Sequence, residues 1–242
     1  NQFGVEIGCD EPQFTTVRQW LEQQAAAMAQ APAAAAGPAV AVPPHTRPYN
    51  YIAVPVQVNN VTLAMPTVPH THPDCPVLML LAEVISDGFL HGQVREKGGA
   101  YGAFSGQTRN GIFSMSNYRD PRCVETIEAF RQAIEWAQKE GSYDEQKLKE
   151  AKLTFFASID APETPSSAGV YAYLRLASQE DRQAFRDRLL QCSVEDLLRA
   201  ARTHLSFNRA RVSVVGSGEN VPESIEKDAQ TINGKWQITY MG

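Results

Sequence analysis

The run Cys-Pro-Val-Leu-Met-Leu-Leu-Ala-Glu-Val-Ile, residues 75–85, constrains this chain more than any other stretch. Asp74 offers an N-cap and Pro76 suits a first helical turn, so the run reads as a helix. Its side chains are apolar nearly all round, and such a helix has no face to present to water. It must therefore lie inside the domain, with other elements wrapped about it. Burying each Val, Leu, Ile or Met side chain contributes roughly 1.5–3 kcal/mol. With 242 residues the chain can supply that cover without staples, since a domain of this size buries roughly 70–75% of its unfolded surface.

Covering elements are legible on both sides. Residues 3–8 alternate as a short strand, and residues 14–28 carry Val17, Trp20, Leu21 and Met28 at helical spacing, with Thr15 or Thr16 as N-cap. Residues 29–46 are rich in Ala and Pro, with eleven alanines between 25 and 44, and read as a linker or surface excursion. Residues 49–64 alternate as one or two strands with a turn at Asn59-Asn60. Beyond the buried helix, Gly88 is expected to interrupt it, and a second short helix is expected over 89–96. Residues 101–107 and 112–118 flank Thr-Arg-Asn-Gly, a hairpin signal. Residues 122–139 place Val124, Ile127, Phe130, Ile134 and Ala137 on one stripe, and Ser142 with Glu145 forms a capping box for the helix after it. Helices are predicted over 166–177, 181–191 and 194–204, the last capped by Ser193 with Asp196. Residues 211–215 form a strand ended by Gly216, and the polar residues from Glu219 onward are weakly patterned. This order lacks the regular alternation of a doubly wound sheet. It predicts an α+β fold, a mainly antiparallel sheet covered by helices. The expected organisation is a leading strand, helix and linker over 1–46, the α+β body over 47–218, and a polar tail over 219–242.

Composition narrows the function classes. Lys plus Arg is 22 against 27 Asp plus Glu, a net charge of −5, which argues against an electrostatic nucleic-acid binder. No uncharged apolar run approaches the roughly 20 residues of a membrane span; residues 25–44 are uncharged but broken by Pro32, Gly37, Pro38, Pro43 and Pro44. Four cysteines at 9, 75, 123 and 192 lie too far apart for a zinc knuckle or a C-x-x-C redox pair. They read as scattered thiols, and a reducing compartment is favoured. The first residue is Asn1, which points to a processed chain or a piece of a longer one.

Catalytic motifs are sparse. His70-Thr71-His72 presents two imidazoles with no third ligand near in sequence, and reads as a polar loop before a helix. His45, His91 and His204 have no ligand partner at helical spacing, and neither H-E-x-x-H nor H-x-x-E-H occurs. A nucleophile elbow and a phosphate-binding glycine loop are absent too. What stands out is residues 92–106, Gly-Gln-Val-Arg-Glu-Lys-Gly-Gly-Ala-Tyr-Gly-Ala-Phe-Ser-Gly. Arg95 falls near a helix end and Tyr101 near a strand start, and Gly98-Gly99 lets the connection turn tightly. A guanidinium and a phenol so joined can converge on one acceptor, a peptide carbonyl or the oxyanion formed from it. The plainer reading pairs Arg95 with a surface carboxylate and places Tyr101 in the core.

Leu-Ala-Glu-Val-Ile-Ser-Asp-Gly-Phe-Leu from Leu81, followed by Val-Arg-Glu-Lys-Gly-Gly-Ala-Tyr-Gly from Val94, resembles the C-terminal half of the pitrilysin/insulinase-type zinc metallopeptidases, and most nearly the presequence peptidase branch. The similarity runs over about residues 48–216 and ends in Val-Ser-Val-Val-Gly from Val212. The resemblance implies a clamshell of two halves closing on short unstructured peptides. Zinc and the H-x-x-E-H motif belong to the N-terminal half, and Arg95 and Tyr101 match the Arg and Tyr that complete the site on closure. It implies no nucleic-acid or membrane partner, and a bacterial cytoplasm or an organelle matrix as the setting. This chain lacks the zinc motif, so it is expected to be inactive alone and to need the N-terminal half from a larger polypeptide or a partner subunit. Two other expectations remain: a catalytically silent homologue that binds peptides or scaffolds a complex, and an unrelated α+β interaction domain.

Overall fold

The computed structural model of the chain describes residues 7–30, 47–160 and 179–241. They belong to two units, one of residues 1–44 and 160–184 and one of 45–159 and 185–242. In the first, α1 (Glu11–Gln30) begins earlier than its apolar spacing implied. Asp10 Oδ1 accepts from the Gln13 N–H at 3.2 Å, so Asp10 takes the capping role assigned to Thr15 or Thr16. Of the strand expected over residues 3–8, residues 3–6 lie outside the described residues and 7–8 are not in a strand; most of the Ala/Pro-rich segment and the helix expected over 166–177 also lie outside them.

The second unit is a six-stranded sheet with helices against it. Its strands are β1 (Tyr49–Val54), β2 (Asn60–Pro66), β3 (Gly102–Gln107), β4 (Ile112–Tyr118), β5 (Arg211–Ser217) and β6 (Trp236–Tyr240), in the order β3-β4-β2-β5-β1-β6. The β2–β4, β2–β5 and β3–β4 pairings are antiparallel, while β1 runs parallel to both β5 and β6. The fold is α+β as expected, with a sheet that is antiparallel through β5 and parallel around β1. Period-2 alternation buries one face: Tyr51, Ala53, Val61, Leu63, Met65, Phe113, Met115, Val212 and Val214 are each at most 2% exposed. Thr62, Ser114, Ser116 and Ser213 occupy the opposite face at partial or full exposure.

The apolar run becomes α2 (Cys75–Ile85), nine of its eleven residues buried. It packs against β3 and against α4 (Glu145–Ile159) and α6 (Val194–His204). Gly88 does not interrupt it. The helix continues through Ser86–Glu96 with the wider π pitch, and an added Cβ at Gly88 would stand 2.8 Å from the Trp136 ring, so this glycine serves a close approach to α3 (Val124–Ala137). The combined helix of 22 residues is long and apolar enough to cross a membrane by length and composition. In this fold it is a core helix.

Two further caps differ from expectation. The Asp74 side chain makes no capping hydrogen bond to α2; its oxygens accept instead from Arg199 at 2.8 and 2.9 Å and from His204 Nε2 at 2.7 Å. A bidentate guanidinium outcompetes a neutral backbone N–H for a carboxylate. At α4, Asp144 Oδ1 accepts from the Lys147 N–H at 3.0 Å, displacing Ser142 from that role. The Ser193–Asp196 capping box of α6 forms as predicted. Preceding it, α5 spans Gln179–Gln191. Residues after Gly218 build α7 (Glu223–Ala229) and edge strand β6, in place of a polar, weakly patterned tail. They are fastened by Arg47, whose guanidinium donates to the carbonyls of Ala229 and Trp236 at 2.8 and 2.5 Å.

Candidate functional site

The stretch around Arg95 and Tyr101 is built by how the π-pitch helix stops. Lys97 N–H still bonds five residues back, to Gly92 O at 3.1 Å, while Gly99 N–H reaches Arg95 O at 2.9 Å and Ala100 N–H reaches Val94 O at 3.2 Å. Gly99 closes this cap with φ of +81°, a conformation that a residue with a Cβ adopts only with strain. The chain then enters the sheet, since Tyr101 N–H donates to Tyr118 O at 3.0 Å. A tight turn thus separates Arg95, on the last helical turn, from Tyr101, at the foot of β3.

Both side chains face solvent. Arg95 is exposed and Tyr101 is 72% exposed, so neither is a core residue. The Tyr101 hydroxyl makes no hydrogen bond among the described residues. Its ring stands edge-on to Tyr118, with centroids 5.8 Å apart, and Arg119 lies over the Tyr118 ring at 5.4 Å. Arg95 Nη1 lies 2.9 Å from His91 Nε2 one turn back. A guanidinium only donates, so that imidazole nitrogen accepts, and the ring proton belongs on Nδ1, which faces Glu96 Oε1 at 3.4 Å. Arg95 therefore rests on a neutral acceptor that leaves its charge uncancelled. Phe104 and Tyr118, at 54% and 43% exposure, extend the surface into an exposed aromatic strip.

Sequence reasoning found Arg95, Tyr101 and the glycine turn. It did not single out His91, one helical turn before Arg95, or Tyr118 and Arg119, which the β3–β4 pairing sets beside Tyr101. The i,i+4 spacing of His91 and Arg95 was the one available signal. His70 and His72 do not converge on a ligand: His70 Nε2 lies 2.9 Å from Arg109 Nη2, and His72 Nδ1 accepts from the Asp74 N–H at 3.0 Å. Among the described residues no group of three or more His, Cys, Asp or Glu side chains could hold a metal ion. The described side chains thus offer no zinc site, and no chemistry of theirs is routed through that metal.

This arrangement can donate hydrogen bonds and positive charge to an oxygen brought to its surface. It sits on a fold that recurs in solved structures described as peptidases or peptidase domains. A crystal structure titled as a peptidase M16 inactive domain from Pseudomonas fluorescens aligns over 84% of this chain and 50% of its own, with TM-score 0.60 and 19% identity. A protease from Helicobacter pylori aligns over 69% of this chain and 43% of its own, with TM-score 0.59 and 18% identity. The chain has the M16 (pitrilysin/insulinase-type) peptidase domain fold. Residues 49–216 match the family described as the PreP C-terminal domain, and the chain belongs to that family. The mitochondrial presequence protease of Danio rerio is 40% identical over 179 residues, covering 74% of this chain and 17% of that protein. Its counterpart in Yarrowia lipolytica is 36% identical over 194 residues, covering 80% and 19%. The chain thus spans less than a fifth of the length of these relatives.

Proposed function

We propose that this chain is the substrate-completing part of a zinc metalloendopeptidase that degrades short unstructured peptides, and that Arg95 and Tyr101 are its contribution to the active site. The single observation that carries the reading is their placement. Two donors sit exposed across one glycine-capped turn, within the residues 49–216 that match the PreP C-terminal domain, and the Tyr101 hydroxyl has no partner within the described residues. Zinc, if held by an N-terminal half in the same polypeptide or a partner subunit, would supply carbonyl polarisation and an activated water. Arg95 and Tyr101 hold the carbonyl oxygen and the charge that develops on it. The mitochondrial relatives favour an organelle matrix as the setting.

The test is steady-state cleavage of an unstructured peptide by the full-length enzyme containing this segment. Tyr101→Phe should lower turnover by about 10²–10³, the usual loss for one oxyanion donor. Arg95→Lys should also be damaging, because an ammonium keeps the charge but loses the planar fork. Thermal melts of both variants should match wild type, since both side chains are exposed. Near-wild-type rates for both variants, or losses that track lower melting temperatures, would sink the assignment.

A further inference from the structure

The turn that sets Arg95 against Tyr101 is braced from below by a residue distant in sequence. Gly98 is buried, and an added Cβ there would lie 1.6 Å from Arg122 Nη2 and 2.2 Å from Val94 O. The Arg122 guanidinium therefore fills the space that a side chain at position 98 would take. From there its Nη2 donates to Gln93 O at 3.2 Å, one of the carbonyls left without a partner where the helix stops. A cation at that end also complements the negative end of the helix dipole.

Arg122 is in turn tied to the sheet and to α3. Its backbone N–H donates to Asp120 Oδ1 at 2.8 Å, and its Nε lies 4.0 Å from the same oxygen. The Asp120 side chain is fully buried and accepts from Asn117 Nδ2 and Thr126 Oγ1, both at 2.5 Å. The Asp120 backbone exchanges two hydrogen bonds with Asn59, at 2.7 and 2.9 Å. Asn117 lies near the end of β4, Thr126 in the first turn of α3, and Asn59 just before β2, so Asp120 is held from three sides. Pro121, between the two charged residues, has its Cγ 3.5 Å from where a Cβ on Gly99 would stand.

We propose that Arg122 is a positioning residue, which acts through Gly98 to fix the register between Arg95 and Tyr101 while touching neither substrate nor zinc. This deepens the reading given above and rests on it. Without the guanidinium, residues 97–100 keep their own backbone hydrogen bonds but lose the strut that references them to Asp120. A displacement near 1 Å at a reacting centre is enough to cost on the order of 10²-fold in rate. Because the donors stabilise the oxyanion more than the ground-state carbonyl, the loss falls on kcat rather than KM.

The experiment is a double-mutant cycle in the full-length enzyme on one unstructured peptide: wild type, Tyr101→Phe, Arg122→Ala and the double variant, with thermal melts. Arg122→Ala should lower kcat at least about tenfold with KM within about threefold of wild type, while adding less than about threefold to the loss in the Tyr101→Phe background. Multiplicative losses, or an Arg122→Ala enzyme at wild-type turnover, would overturn the positioning role while leaving Tyr101 in place. Tyr101→Phe at wild-type turnover would overturn the underlying reading, and this inference with it. If Arg122→Ala does not fold, Arg122→Lys is read in the same cycle and against the same outcomes, since it keeps charge and reach but loses the planar fork that fills the space at Gly98.

Discussion

Replacing Asp74 by Asn should destabilise the chain by about 2–4 kcal/mol. In the native fold both carboxylate oxygens are occupied, by Arg199 Nη2 and Nη1 at 2.8 and 2.9 Å and by His204 Nε2 at 2.7 Å. The Asp74 and His204 side chains are only 10% and 12% exposed, whereas Arg199 is 49% exposed. A hydrogen bond to a charged group contributes about 1.5–3 kcal/mol, and the half-exposed arginine is discounted for screening. Asn preserves the shape but turns an NH2 toward guanidinium donors, which leaves donors facing donors. For a chain this long the change amounts to roughly 4–15 °C in Tm. Arg199 holds the Asp74 carboxyl well below the usual carboxylate range, with His204 adding to that, against the opposing effect of burial. A depressed folded pKa stabilises above the unfolded value near 3.9 and ceases to do so as pH falls through the folded value. The gap between wild type and Asp74→Asn should therefore be constant near neutral pH and narrow only in strong acid. Urea unfolding of both chains across pH measures it, with Arg199→Met alone and in combination. A difference under about 0.5 kcal/mol at neutral pH, or an Arg199→Met cost undiminished in the Asp74→Asn background, would refute the reasoning.

Gly98→Ala should cost about 2 kcal/mol or more, because its methyl meets Arg122 Nη2 and the Val94 carbonyl, whereas Gly92→Ala meets nothing within 4 Å and should be neutral or stabilise by up to about 1 kcal/mol; chemical denaturation separates them, and equal effects would contradict the packing. Burial pushes the thiols of Cys123 and Cys192 up to about 12 and raises that of Cys75, while Cys9 is exposed. Thiolate is the reactive form, so Ellman's reagent at pH 8 should modify one thiol rapidly and the other three only on unfolding. Two or more fast thiols in the folded chain would contradict that.

Residues 75–85 had to be buried whatever surrounded them, because an all-apolar helix has no other stable place, and the hairpin at Asn110-Gly111 followed from local turn chemistry, with Gly111 at φ +83°. The Ser193–Asp196 box was equally local, its two partners three residues apart. The glycine turn between Arg95 and Tyr101 was legible for the same reason, since it falls within one short string. What only the tertiary structure decided involves partners far apart in the chain. Asp74 was a sound cap until Arg199 and His204, more than a hundred residues later, offered charge-assisted donors. Gly88 was a helix breaker on propensity, but a contact site for Trp136 once α3 lay against it. The parallel seating of β1 between β5 and β6 depends on segments at opposite ends of the chain, and period-2 alternation is the same for either strand direction. The brace of Asp120 and Arg122 beneath Gly98 was invisible for that reason as well. Sequence pattern reports what a residue does to its own backbone and solvent exposure; which distant group a charge or a missing side chain meets is decided when the elements pack.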